Sequence, residues 1–318
     1  MNVVFPNRSP LSVKELNHVL DFMEPLDQVS FSLISKATKS IIVSRNLFAG
    51  SIHLFVDDAF KISMYTPDGK IILGLSQKNE DWNGGDPVKL IAADIVEVDH
   101  ETEEESQTYQ WRKEGFGIKN WINHIMKINH SQSIHHIYFY EGGERIDIDS
   151  VVNAIGGLTV NYLCTMPGCS ERYRHLVDQK VHVENLNIFS NTFQGNEEIR
   201  KHLIQNYSQI VDVSFSSITF RLDDFLMMNC EELFTAGIPL KTANQFLKIW
   251  RTGCKIRLKK LRIGFPSTMI LDKDVILKGI AHIELEDNAY KINGANGSLA
   301  TVFIDPEQSV VEFVVSEG

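Results

Sequence analysis

The stretch Val183-Glu184-Asn185-Leu186-Asn187-Ile188-Phe189-Ser190-Asn191 decides how this chain is read. Apolar side chains fall at Val183, Leu186 and Ile188, and an Asn follows at Asn191. The same three-position core recurs at Ile134/Ile137/Phe139, Ile210/Val213/Phe215, Leu258/Leu261/Ile263 and Ile280/Ile283/Leu285. Looser copies stand at Val160/Leu163/Thr165 and Cys230/Leu233/Thr235. The central residues run Ile137, Leu163, Leu186, Val213, Leu233, Leu261, Ile283. Their spacing averages roughly 24 residues, which marks a repeat architecture.

The pattern L-x-x-L-x-L-x-x-N at this period is that of leucine-rich-repeat strands. Helical candidates lie between them. Asp149 or Ser150 caps residues 151–155, and Gly156-Gly157 ends that helix. Residues 170–178 and 223–228 are shorter candidates. Asn196 caps a helix with Glu197 and Glu198 in its first turn, where carboxylates meet the positive end of the helix dipole. Ile199, Leu203 and Tyr207 are its inward residues. Residues 240–251 carry Ala243, Phe246, Leu247 and Trp250 on one stripe. A strand and a helix per turn make a curved solenoid, because each turn buries its apolar face only against its neighbours. Residues 299–304 and 310–315 read as a final hairpin covering the last open edge.

Composition narrows the function classes. The chain has 318 residues, 43% hydrophobic and 23% charged, ordinary values for a folded protein. A net charge of -10 argues against a general nucleic-acid binder, whose affinity rests on cations meeting phosphates. Four cysteines without a C-x-x-C pair suit a reduced intracellular setting, the cytoplasm and also the nucleus. In that setting the sequons at Asn7, Asn129, Asn206 and Asn296 are chance matches. Neither a signal peptide nor a membrane span is expected.

Toward the N-terminus, Ser12 and Glu15 form a capping box. Leu16, Val19, Leu20 and Met23 follow as one apolar helix stripe. Pro25 stops this helix and opens the next, which carries Leu26, Val29 and Leu33. Ile34, Ala37 and Ile41 supply a third stripe. So small a core gains stability by docking on something else. From residue 50 to about 110 the pattern changes to short strands at 52–56, 60–65, 70–75 and 88–98, with a Thr66-Pro67-Asp68-Gly69 turn and a loop at 79–87. Gly115-Phe116-Gly117 then opens a helix with Ile118, Trp121, Ile122, Ile125 and Met126 on one face.

Residues 9–45 resemble an F-box, the three-helix module that binds the Skp-family adaptor of cullin–RING ubiquitin ligases. Leu11 takes the Leu of the family's opening Leu-Pro, and Ser12 stands in place of the Pro. Leu16, Val19, Leu20 and Met23 match the first helix, Val29, Phe31 and Ile34 the positions that follow, and Lys36 the Lys of Val-x-Lys-x-Trp. Thr38 stands in place of the Trp. Further along, 223–230, 246–253 and 292–301 resemble the type 2 F-box-associated domain of the large nematode F-box family. The resemblance implies a non-enzymatic substrate receptor of an SCF-type ligase, with Leu11, Leu16, Val19, Leu20, Met23, Pro25 and Leu26 toward the adaptor. The alternative is an F-box-derived protein that scaffolds or neutralises a partner without ubiquitin transfer.

The expected fold is therefore mixed α+β and α/β: an F-box at 1–48, an antiparallel meander at 49–115, and a leucine-rich-repeat-like solenoid at 116–318 closed by a β hairpin. Residues between the core positions would face a target protein from the concave side. These are Tyr138, Tyr140, Tyr162, Asn185, Asn187 and Phe189, continued by Ser214, Phe234, Lys260, Arg262, His282 and Glu284. His135 and His136 are expected on opposite faces of their strand. Cys164, Cys169, His175 and His182 are the best metal constellation, but their spacing is poor for zinc, and idle thiols are the plainer reading. No H-E-x-x-H, Walker A or G-x-G-x-x-G motif occurs, so neither cofactor nor metal is expected. The acidic run at 97–105 lacks calcium-loop order and reads as a solvated loop or strand end. The span 241–262 holds eight Lys and Arg and no acid, a flank suited to an acidic partner or simply to solvent.

Overall fold

A computed structural model describes the chain except for residues 1–12, 46–49, 77–84, 170–180, 182, 190–196, 214–217, 219, 255 and 317–318. Ser12, Asn196 and the helix candidate at 170–178 lie outside the described residues. The chain divides into two compact units, Met1–His53 with Phe60–Gln77 and Ile91–Ile134, and Leu54–Ala59 with Lys78–Leu90 and His135–Gly318.

The first unit begins with α1 (Val13–Asp21), α2 (Pro25–Ser32) and α3 (Lys36–Arg45). Pro25 sits in the first turn of α2, where its missing N–H costs no helical bond. The buried Gln28 side chain donates from Nε2 to the Leu20 carbonyl (3.1 Å) and the Met23 carbonyl (2.8 Å). It thereby satisfies acceptors left over where α1 ends. At the start of α3, Thr38 N–H donates to Ser35 Oγ (3.1 Å), and Ser35 N–H donates to Thr38 Oγ1 (2.9 Å). Thr38, which replaces a Trp of the F-box pattern, is thus half of a reciprocal helix cap.

The core of these helices is small: Leu20, Val29 and Ile42 are fully buried and Leu26 nearly so. What they dock on is α4 (Ile118–Ile128), whose Trp121, Ile122, Ile125 and Ile128 are buried. Ser32 Oγ and His124 Nε2 lie 2.8 Å apart, both side chains buried. Lys113 Nζ donates to the Leu33 carbonyl (2.5 Å), and His130 Nε2 to the Val43 carbonyl (2.6 Å). Helix α4, which the sequence reading grouped with the repeats, belongs to this first unit.

The meander follows as β2 (Phe60–Thr66), β3 (Gly69–Ser76), β4 (Ala92–Thr102) and β5 (Ser106–Trp111), each antiparallel to the next. The Thr66–Gly69 turn joins β2 to β3. A Cβ at Gly69 would stand 2.0 Å from the Glu101 carbonyl oxygen, so only glycine fits there. The acidic run ends β4 and turns into β5, and Glu101 pairs with Lys70 at 2.8 Å.

The second unit includes the end of β1 (Ile52–Val56), most of β6 (Ser133–Phe139), and a parallel ladder of β7 (Thr159–Thr165), β8 (Asn185–Ile188), β9 (Ile210–Asp212), β10 (Glu232–Ala236) and β11 (Lys260–Gly264). Each neighbour pair from β7 to β11 is parallel. Helices lie between strands: α5 (Ile148–Ile155) before β7, α6 (Glu197–Asn206) before β9, α7 (Leu222–Met227) before β10 and α8 (Leu240–Arg251) before β11. Asp147 caps α5, ahead of the expected Asp149 or Ser150, accepting from Ser150 N–H at 2.9 Å.

The register aligns Leu163, Leu186, Val211, Leu233 and Leu261 in one row, each at most 2% exposed. Val211 takes the place expected for Val213. Both are fully buried, and a shift of two residues leaves the facing unchanged.

The last expected repeat, at 280–285, does not form. After β11 the chain makes α9 (Lys273–Ile276), then four antiparallel strands: β12 (His282–Glu284), β13 (Ala289–Asn293), β14 (Leu299–Asp305) and β15 (Val310–Val315). Asp287 and Asn288 both hold positive φ, 58° and 56°, the requirement of a tight hairpin turn that folds β12 onto β13. The β14–β15 hairpin does cover the ladder's edge: β15 pairs antiparallel with β11 and adds Phe313 to the buried row. The sheet of this unit ends at β12 and is open.

Burial, with Lys39 and Lys113 nearby, pushes the His124 imidazole down to about 4 from its usual 6.5. Folded protein then keeps His124 neutral where the unfolded chain takes a proton. Its stabilising contribution is whole above pH 6.5 and falls as pH drops from 6.5 toward 4. The melting temperature should fall across that window, and less steeply in His124→Gln, which keeps a donor for Ser32 without titrating. An identical slope in the variant would contradict this.

Candidate functional site

Two surfaces carry the expected site residues. On the first unit, burial divides the apolar stripe. Leu20 and Leu26, expected to face the adaptor, belong to the module's own core. Val19 stands 47% exposed, and Leu16, Met23 and Pro25 are half-buried. Leu11 lies outside the described residues. Phe22, missed in the sequence reading, is the most exposed of this group at 78%, one turn beyond Val19, with the His18 ring edge-on at 5.0 Å. Its signal was an aromatic at i+3 from Val19, passed over because it lies off the buried stripe.

On the second unit, the outer face of the parallel ladder follows from the same register that buries the inner row. One outer row runs Tyr162, Asn185, Ile210, Glu232, Lys260, and the next Cys164, Asn187, Asp212, Phe234, Arg262. Six expected residues, Tyr162, Asn185, Asn187, Phe234, Lys260 and Arg262, are thus brought together. Ser214 lies outside the described residues, and Asp212 holds the place between Asn187 and Phe234. Phe189, half-buried, comes just after β8, its N–H donating to the Thr165 carbonyl at 2.8 Å. His282 and Glu284 are not in these rows. They sit on edge strand β12, Glu284 paired with Lys273 at 3.2 Å and His282 edge-on to Tyr290 at 5.6 Å.

Beside the ladder, rings stack across strands. Phe55 lies on Tyr138 at 5.2 Å and on Tyr140 at 6.2 Å. His136 lies on Tyr138 at 5.2 Å and on Tyr162 at 4.8 Å, within 18° of parallel. The two histidines do not split as expected: the His135 ring is 4.5 Å from His136 and 5.6 Å from Tyr162. The wide step from Ile134 to Ile137, both buried, breaks strict alternation. Burial and His135 lower His136 to about 4, so it is neutral at physiological pH.

Two cations at β11 meet carboxylates within the chain. Lys260 pairs with Glu312 at 3.0 Å and lies 5.5 Å over the Phe234 ring. Arg262 reaches Gln308 (3.4 Å), and Lys259 pairs with Glu231 (2.8 Å). Of the other cations, Lys241 and Lys248 belong to α8 and Lys255 lies outside the described residues. The 241–262 cations are therefore shared between helix, loop and strand rather than gathered on one.

Cys164 is buried and hydrogen-bonded with Asn187, and burial pushes its thiol up to about 12. Cys230 is likewise pushed up to about 12 by burial. A thiol so held is a poor nucleophile at neutral pH. His175 and His182 lie outside the described residues, and among those described no group of three metal-binding side chains gathers. Nor, among them, is any helix long and apolar enough to cross a membrane.

Two known families match segments of the chain. The F-box domain family matches residues 9–49, and the family described as F-box associated matches residues 198–263. The chain carries an F-box domain and an F-box-associated region. The second match spans α6 through most of β11, three steps of the parallel ladder. The stretch at 292–301, also read as similar, lies beyond it. No curated protein and no solved structure shows significant similarity to this chain.

Iodoacetamide at about pH 8 should label exposed Cys254 promptly and reach buried Cys164 and Cys230 only after denaturation, as peptide mass mapping would reveal. Equal native labelling of Cys164 and Cys254 would contradict the buried, hydrogen-bonded thiol.

Proposed function

We propose that this F-box protein is the substrate-recognition subunit of an SCF-type cullin–RING ubiquitin ligase. The F-box domain at residues 9–49 carries the reading. Its helices hold the Skp-family adaptor, and through it the ligase, with Phe22, Val19, Leu16, Met23, Pro25 and Leu11 as contacts. An exposed apolar group on so small a module is what a docking partner covers. The second unit, read as a leucine-rich-repeat-like solenoid, presents its outer strand face to a target protein. Tyr138, Tyr140, Tyr162, Asn185, Asn187 and Phe234 suit recognition, since half-buried aromatic and amide side chains are typical interface groups. The chain itself performs no catalysis. It raises the effective concentration of the target beside the ligase's catalytic subunits, in the cytoplasm and nucleus.

A second reading, capture without ubiquitin transfer, draws on Thr38, which is spent on the α3 cap where the family pattern has a Trp. Co-expression with the adaptor tests the first step. Val19→Asp with Phe22→Asp should abolish co-purification while the chain stays folded by circular dichroism. Tyr138→Ala with Asn187→Ala should leave co-purification intact and weaken target capture at least tenfold. An adaptor that never co-purifies, or that ignores the first pair of changes, would overturn the ligase reading. Adaptor binding without target ubiquitination in a reconstituted reaction would favour the second.

A further inference from the structure

We infer that the open edge strand β12 pairs with β12 of a second copy of this chain, antiparallel about a two-fold axis at Ile283. The inference goes beyond the target-binding reading and does not depend on it. Its base is the hydrogen-bond pattern of the β12–β13 hairpin. Leu285 N–H donates to the Ala289 carbonyl at 2.8 Å, so Leu285 and, two residues earlier, Ile283 direct their backbone groups to β13. The N–H and C=O of His282 and Glu284 then point away from β13, to the side where the described sheet ends. Such an edge is a template for a further strand. Side chains mark it as well. Ile283 and Leu285 stand 60% and 45% exposed on one face of β12. Phe303 of β14, opposite Ala289, adds a 41% exposed ring to the same face. The strand carries neither proline nor lysine nor a bulge, which are common guards of an exposed edge. Its shortness keeps the pairing weak and reversible.

The sequence of the strand selects a copy of itself. Reversed about Ile283, the run Ala281-His282-Ile283-Glu284-Leu285 sets Ile283 against Ile283 of the copy, His282 against Glu284, and Ala281 against Leu285. His282 with Glu284 of the copy is then the hydrogen-bonded pair, exchanging two backbone bonds on each side of the axis. Ile283 and its copy form the close, non-bonded pair between them, with Leu285 diagonal to it, so the exposed apolar side chains meet on one face. Charge fixes the register. His282 Nδ1 lies 2.8 Å from the Ile280 carbonyl, which leaves Nε2 for the carboxylate across the seam. Glu284 keeps its pair with Lys273 (3.2 Å) and so enters the seam with a counter-cation beside it. Moving the axis to Glu284 would set that carboxylate against its copy, and moving it to Leu285 would set Glu284 against Glu286. A two-fold contact of this kind closes on itself and stops at a dimer.

The test reads the mass of the full chain by sedimentation equilibrium across about a hundredfold range of concentration. A reversible rise toward twice the chain mass is expected. Ile283→Lys, at a position exposed in the single chain, should weaken dimerisation about tenfold and leave the circular dichroism spectrum unchanged. His282→Glu, which faces Glu284 of the copy, should weaken it as well. Adding Glu284→Lys to that variant should restore the dimer, a rescue specific to this register. Cross-linking checks the axis. In a Cys254→Ser background, Ile283→Cys should oxidise to a disulfide-linked dimer, since the Cα atoms of a close antiparallel pair lie about 4.5 Å apart, within disulfide reach. Leu285→Cys, which faces Ala281 of the copy, should not. A chain monomeric at every concentration, a dimer indifferent to Ile283→Lys, or equal cross-linking of the two cysteine variants would overturn the inference. If Ile283→Lys abolishes target capture while the unaltered chain stays monomeric, the edge takes an extended target segment, and pairing between copies is equally overturned.

Discussion

The second unit depends on one buried row: Leu163, Leu186, Val211, Leu233, Leu261 and Phe313, aligned across six strands and at most 2% exposed. Burying each such side chain is worth about 1.5–3 kcal/mol. The greater consequence is register. Side chains alternate with period two, so a slip by one residue would turn the whole row to solvent. Fixing the row therefore fixes Tyr162, Cys164, Asn185, Asn187, Asp212 and Phe234 on the other face. Side chains can vary there without touching what holds the strands together.

The first unit answers a different constraint. Three helices of eight to ten residues cannot bury enough apolar surface to stand alone. Helix α4 supplies the missing core with Trp121, Ile122 and Ile125, and a buried polar pair, Ser32 with His124, fixes how it meets α2. A hydrogen bond between buried side chains is costly to leave unmade, so it specifies one packing among several apolar ones. The helices can then leave Val19 and Phe22 exposed without losing their fold.

Periodicity made most of this legible. The strand cores at Leu163, Leu186, Leu233 and Leu261, the helix stripes of α4 and α8, and the Pro25 break each followed from spacing alone. Three things did not. At β9, Val211 and Val213 are equally apolar two residues apart, so the pattern could not choose between them, and Ser214 was named where Asp212 stands. At 280–285 the apolar spacing was right but the next turn was decisive: Asp287-Asn288 folds the chain back, leaving Ile283 60% exposed on an edge. On α1, the stripe showed which residues share a face but not which flank stays wet, so Leu20 was offered to a partner and Phe22 overlooked.

The outer face illustrates the same limit in a form that bears on function. Sequence spacing placed Tyr138, Tyr140 and Tyr162 on it one by one, as separate polar or aromatic positions. Their physical character comes from neighbours the pattern could not supply. Phe55 comes from β1, far from the repeats in sequence, and His136 was expected to share its strand's faces with His135. Together these convert isolated rings into a stacked, pre-ordered rail. The bases of 241–262 changed meaning in the opposite direction. A run that looked like one basic strip is divided: Lys260 and Lys259 meet Glu312 and Glu231, while Arg262 reaches the neutral Gln308.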